Sequence, residues 1–190
     1  PMKNESSFVP VDGGNEFAID LIQQIDEMNN GQYLYEETKN SPSNFCIGAA
    51  GYPEKHFEAM NLASDLRHLK AKVDAGAEFI VTQLFYDNKK YFSFVKKCRE
   101  IGITVPIIPG LKPITNQRHL TFIPKFFNTN FPEEFSNELE KCKTNEEIKK
   151  VGIEWSIEQS KELIDSGVPV LHFYTMGKGQ SVKEVASNIF

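Results

Sequence analysis

Long hydrophobic runs are missing from this sequence: no stretch reaches the ~18 consecutive apolar residues of a membrane span, and residues 1–15 are too polar for a secretory signal. Cysteine is scarce as well. Cys46, Cys98 and Cys142 are odd in number, far apart and without a C-x-x-C pairing, so they read as reduced thiols of a cytoplasmic protein rather than as a metal site or redox pair. Nor do bases outnumber acids: 21 Lys and Arg stand against 26 Asp and Glu, a net charge of −5, with no long basic run. That balance excludes nucleic-acid phosphates as the main partner, while leaving room for a local anion site.

What is present is apolar material. Hydrophobic residues make up 40% of 190 positions and aromatics 12%, enough for one sizeable core, so a single domain is expected over 1–190 with a loop at 1–15. The chain begins with Pro1 rather than Met, from which we expect a fragment or a processed product.

Two periodicities alternate along the chain. Phe17, Ala18, Leu21, Ile22 and Ile25 recur at helical spacing and predict a helix ending near Asn29-Asn30-Gly31, followed by a polar loop over 32–43. Phe45 to Gly51 predicts a buried strand whose small residues let a flat group approach the backbone, and Tyr52 to His56 form the loop after it. Leu62, Leu66, Leu69 and Val73 stripe a second helix, with Asp65, His68 and Lys72 along one flank. After Gly76, Phe79 to Tyr86 is a nearly continuous apolar run that predicts a strand buried on both faces. Helices are predicted from Lys89 to Ile101, from Asn116 onward, within Glu133 to Asn145, from Glu146 to Ile164 and from Val182 to Ile189; strands are predicted over Val105 to Leu111 and Val170 to Thr175. Phe126, Phe127, Phe131 and Phe135 read as packing residues, because no basic groove accompanies them.

Polar residues inside or just beyond these strands stand out. Gln83, near the carboxyl end of an apolar strand, either touches a ligand or is a core amide satisfied by backbone. His56 reads first as a solvated loop histidine and His172 as a satisfied core histidine, whereas Tyr174 and Lys178 sit at a strand end where a ligand contact is expected. Asp65 and Lys72 ordinarily mark a solvated helix flank, yet a carboxylate and an ammonium there also suit the ribose and phosphates of a nucleotide.

Four strand-then-helix units in series specify parallel strands with right-handed crossovers, an α/β class. Four units are half of an eight-unit barrel. An isolated half exposes two strand edges, so the chain is expected to pair with a complementary half, to dimerise, or to open into an α/β sheet.

The strings Ala50-Gly-Tyr-Pro-Glu-Lys-His-Phe-Glu-Ala59, Asp65-Leu66 with Leu69 to Ala77, Ile80 to Tyr86, Ile107 to Gly110 and His172 to Thr175 closely resemble the methylenetetrahydrofolate reductases, in order, from about Phe17 to Lys178. That resemblance implies the carboxyl-terminal half of a TIM (β/α)8 barrel, with FAD as cofactor, NAD(P)H as reductant, and 5,10-methylenetetrahydrofolate reduced to 5-methyltetrahydrofolate. By position it implies that Tyr52, His56, Ala59, Asp65 and Lys72 contact FAD, with Phe17 and Ala18 near it. Gln83 then contacts folate and, in its turn, nicotinamide, and Tyr174 and Lys178 meet the other end of the folate. Two departures matter. Lys178 stands where the family usually has Arg, losing the planar fork suited to carboxylates, and Phe17 stands where many relatives have Tyr. The family's general-acid Glu and an Arg-Gly-Asp fall in the amino-terminal half, so no catalytic residue is expected in this chain and the chain alone is expected to be inactive.

The resemblance further implies a folate substrate, a complementary amino-terminal half-barrel and a homo-oligomer as partners, with neither nucleic acid nor membrane. A second reading is a non-catalytic flavin- or folate-binding half-barrel module or interaction subunit. A third, an unrelated phosphate-binding α/β barrel, is favoured only by Gly110 and the Gly177 to Gly179 loop.

Overall fold

The computed structural model describes residues 9–34 and 41–190; most of the 1–15 loop and the middle of the 32–43 loop lie outside the described residues. Four strand–helix units follow a first helix, α1 (Ala18–Asn29): β1 (Gly48–Gly51), α2 (Leu62–Asp74), β2 (Phe79–Thr82), α3 (Asn88–Glu100), β3 (Ile107–Ile108), β4 (Gly110–Leu111), α4 (Gln117–Phe127), α5 (Glu133–Lys141), α6 (Asn145–Asp165), β5 (His172–Phe173) and α7 (Gln180–Ile189). Side chains set the helix starts. Asn61, Asp87, Asn116 and Thr144 each accept a backbone N–H of the following first turn, and Glu147 reaches back to complete a capping box on α6.

All strand pairs are parallel. β1 pairs with β2 from Gly48↔Phe79 to Gly51↔Thr82, β2 pairs with β3 at Ile80↔Ile107 and Val81↔Ile108, and β4 pairs with β5 at Gly110↔His172 and Leu111↔Phe173. The predicted strand Val105 to Leu111 is thus two short ones hinged at Pro109, which has no N–H to donate but whose carbonyl accepts from His172. The first half faces β2 and the second faces β5, so the polypeptide itself carries the order across the hinge.

One strand face is covered by helices. Leu66, Leu69, Ile80, Phe94, Cys98, Ile103, Leu111 and Leu163 form the main core there. A second core lies beyond the strand ends, where Leu84, Tyr86, Ile114, Ile123, Phe135 and Ile148 pack with Trp155 and Tyr174. Ile22 of α1 packs on Ile47, Ala49 and Ala77. Gly152 lets α6 press on the chain at Ile114; a Cβ there would overlap the Ile114 carbonyl.

Three expectations need correction. The strand Phe79 to Tyr86 is not buried on both faces at its start: Ile80 and Thr82 are fully buried under the helices, while Phe79, Val81 and Gln83 on the other face are only half-buried. His172 is not a core histidine; it is exposed, on a strand whose described pairing is with β4 alone, with its ring against Tyr174. Among the four phenylalanines, Phe127, Phe131 and Phe135 pack as expected, but Phe126 is 66% exposed and stacks on Phe122 at the surface.

Candidate active site

The carboxyl ends of the parallel strands gather most of the residues singled out above. The loop after β1 carries Tyr52, His56 and Ala59, and it folds back onto the first turn of α2 because the Asp65 carboxylate accepts the His56 backbone N–H at 2.8 Å. The Tyr52 and His56 rings meet edge to face at 4.5 Å. Burial raises the Tyr52 phenol above its usual range, helped by the nearby Asp65 carboxylate and then by Tyr174, which brings the β1 loop and the end of β5 into one electrostatic neighbourhood. His56 is therefore a half-buried, packed ring rather than a solvated one, and its Nδ1 accepts from the Glu58 N–H at 3.3 Å.

Lys72, nearly two turns along α2 from Asp65, returns to β1. Its ammonium makes one hydrogen bond among the described residues, to the Ala50 carbonyl at 3.4 Å. Burial lowers its pKa, and Asp65 opposes that shift. Two of its three donors thus have no described partner, and Ala50 beside it is small and exposed, while the Phe79 ring packs over Gly48. Phe17 and Ala18 are exposed at the amino end of α1.

Gln83 follows directly on β2. Its backbone N–H completes the ladder to the Gly51 carbonyl at 2.8 Å, and its side-chain Oε1 accepts the Leu84 N–H at 3.0 Å. Half of the amide is thereby satisfied by backbone, while the half-buried NH2 carries the remaining donors. Tyr174 donates its hydroxyl to the Thr82 carbonyl at 2.9 Å, which places it against the residue before Gln83, and burial raises its phenol. Lys178 is exposed on the turn after β5, where Met176 and Gly177 take positive φ angles of 49° and 77°.

Residues not singled out from the sequence hold this arrangement. Glu54, whose side chain is 6% exposed, accepts from Thr129 Oγ1, from the Asn130 N–H and from Asn130 Nδ2, and pairs with Lys90 at 3.6 Å. Lys55, at φ 94°, turns its ammonium onto the carbonyls of His56, Phe57 and Ala59 at 3.0, 3.4 and 2.6 Å. Thr82 Oγ1 accepts the Gly110 N–H at 2.9 Å, a substitute rung at the Pro109 hinge. No local pattern marks Glu54 or Thr82, since their partners are long-range; Lys55 is marked only by its place in the loop.

Fold and strand-end cluster together define a parallel α/β domain with polar groups gathered where such folds hold ligands. The family model for methylenetetrahydrofolate reductase matches residues 1–189, and the chain belongs to that family. It is 38% identical to Methylenetetrahydrofolate reductase (NADH) 1 of Zea mays, over 100% of this chain and 32% of that protein. It is 39% identical to a probable methylenetetrahydrofolate reductase (NADPH) of Caenorhabditis elegans, over 90% of this chain and 24% of that one. With the 5,10-methylenetetrahydrofolate reductase of Pectobacterium carotovorum subsp. carotovorum the identity is 31%, over 90% of this chain and 54% of that one. The chain therefore spans about a third of the length of the plant relative and about half that of the bacterial one. Among solved structures, an uncharacterized protein from Clostridium thermocellum, described as binding two copies of 5-methyl-5,6,7,8-tetrahydrofolic acid, shares the fold with a TM-score of 0.51 at 18% identity, over 76% of this chain and 52% of that one.

Proposed function

We propose that this chain is the carboxyl-terminal half of the (β/α)8 barrel of a reductase that converts 5,10-methylenetetrahydrofolate to 5-methyltetrahydrofolate with FAD and NAD(P)H. The observation that carries the reading is the convergence of Tyr52, His56, Asp65 and Lys72 beside Gln83 and Tyr174 at the carboxyl ends of the strands. Family membership and the folate-binding description of the Clostridium protein support it.

The donor set suits FAD. The half-buried Lys72 ammonium has donors to spare for a pyrophosphate, the second oxygen of Asp65 has no described partner and can accept from a ribose or adenine donor, and Ala50 of β1 presents only a small exposed side chain beside Lys72. When bound, FAD would supply the hydride relay between NAD(P)H and folate. This chain's own residues would bind and orient. The Gln83 NH2 would donate to the pterin edge with Oε1 fixed by Leu84, and Tyr174, anchored on Thr82, would wall the far side of the site. The general acid would come from the complementary half, through the uncovered strand face and the outer edges of β1 and β5.

The test is the visible spectrum of the chain mixed with FAD, before and after a separately produced amino-terminal half is added. Flavin binding and NAD(P)H oxidation that appear only with both halves support the reading. Tight flavin binding by this chain with no turnover in the mixture would overturn it in favour of a binding module.

A further inference from the structure

Lys112 follows β4 directly and is 7% exposed. Its one hydrogen bond among the described residues is a long one, 3.4 Å to the Tyr174 carbonyl, and no carboxylate lies within ion-pair distance of it among those residues. An ammonium carries three donors and a full charge, and its removal from water is unfavourable unless both are matched. Here one donor is weakly used and the charge has no described counterpart. Burial accordingly lowers the lysine's pKa, and its charge is felt by His119, itself held neutral.

Its position gives that unmatched charge a direction. Lys112 touches Tyr174, whose hydroxyl reaches the Thr82 carbonyl, and Gln83 is the next residue. The buried ammonium thus stands at the same strand ends as the proposed folate contacts. Lys178, the cation expected at the folate's far end, is four residues beyond Tyr174 and exposed. A sheltered cation at Tyr174, with an exposed one four residues further along the chain, suits a ligand that brings an oxyanion from solvent into the site.

We propose that Lys112 is an oxyanion anchor of this site, donating to a carboxylate or phosphate oxygen of the bound substrate. The inference rests on the functional reading above. Two substrates carry such oxygens: folate, through the carboxylates of its glutamate tail, and the nicotinamide dinucleotide, through its phosphates. A charge-assisted bond of this kind replaces the missing counterion and uses the two remaining donors.

The experiment is equilibrium dialysis of the flavin-loaded protein, this chain with its complementary half, against 5-methyltetrahydrofolate, the same folate lacking its glutamate, and NAD+, for wild type, K112M and K112R. We expect K112M to weaken one ligand by about tenfold or more, because truncating one partner of a buried charge pair strands the other, and K112R to restore most of it. Weakened 5-methyltetrahydrofolate with unchanged binding of the tail-less form assigns the carboxylate; weakened NAD+ with unchanged folate assigns the phosphate. Full retention of all three ligands by K112M overturns the proposal. If K112M does not fold, 15N-lysine labelling of the wild type decides instead: the Lys112 resonance must shift on saturation, and an unmoved resonance overturns the anchor. Wild type that binds neither folate nor NAD+ removes the functional reading itself, and the anchor with it.

Discussion

The Tyr174 hydroxyl lies 2.9 Å from the Thr82 carbonyl, and the Thr82 hydroxyl oxygen lies 2.9 Å from the Gly110 nitrogen, so one residue of β2 ties its sheet to the β4–β5 pair beyond the Pro109 hinge. Y174F should remove one hydrogen bond and destabilise the chain by about 1 kcal/mol, whereas T82V should strand the buried Gly110 N–H and destabilise by about 1–3 kcal/mol. Urea unfolding followed by the fluorescence of Trp155, the single tryptophan, measures both; equal effects would contradict the distinction between an outer bond and a hinge rung.

Glu54 holds the loop after β1 to the segment after α4 through three hydrogen bonds, and to α3 through the Lys90 ion pair. E54A should raise amide exchange in residues 53–60 and 128–131 at least about tenfold, because charge-assisted bonds to a sheltered carboxylate are among the stronger ones. Exchange confined to one of the two segments would show that the clasp is not mutual.

Helix α6 approaches Ile114 through Gly152, where an added Cβ would overlap a backbone carbonyl. G152A should therefore destabilise by about 3 kcal/mol or more, although alanine ordinarily favours a helix. A neutral or stabilising effect in urea titration would refute the close approach.

Burial first, then the charges of Lys112 and Arg118, lowers the His119 pKa from 6.5 to about 4. The unfolded chain then binds the extra proton, so this contribution to stability is complete above about pH 6.5 and is lost as the pH falls towards about 4. Comparing stability across that range for wild type and H119Q isolates the effect. The variant should show the shallower acid-side slope, and identical slopes would rule out a neutral, sheltered His119.

Elements whose signals are local were legible in the sequence. The stripe Leu62, Leu66, Leu69 and Val73 became α2, and the cap residues Asn61, Asp87 and Asn116 lie within three residues of the N–H groups they accept. The loop histidine and the helix flank Asp65–Lys72 were visible as residue types, and the family likeness named them. What escaped depends on partners far along the chain. Glu54 finds Thr129 and Asn130 some 75 residues on, and Lys112 is conspicuous only once burial is known. The exposure of His172 follows from how many neighbours its strand has, which an apolar run does not reveal. The outward ring of Phe126 is likewise hidden in the sequence, because a cluster of phenylalanines does not tell which ring faces solvent.

Lys55 gives the loop beyond β1 a further property. Its ammonium gathers three carbonyls of residues 56–59 while Glu54 fastens the same loop to Thr129 and Asn130. The conformational freedom of this loop is thus surrendered during folding, not at the moment of binding. A ligand resting on Tyr52 and His56 meets a surface already in its final shape, so its association rate should be set by diffusion and orientation rather than by waiting for a loop to close.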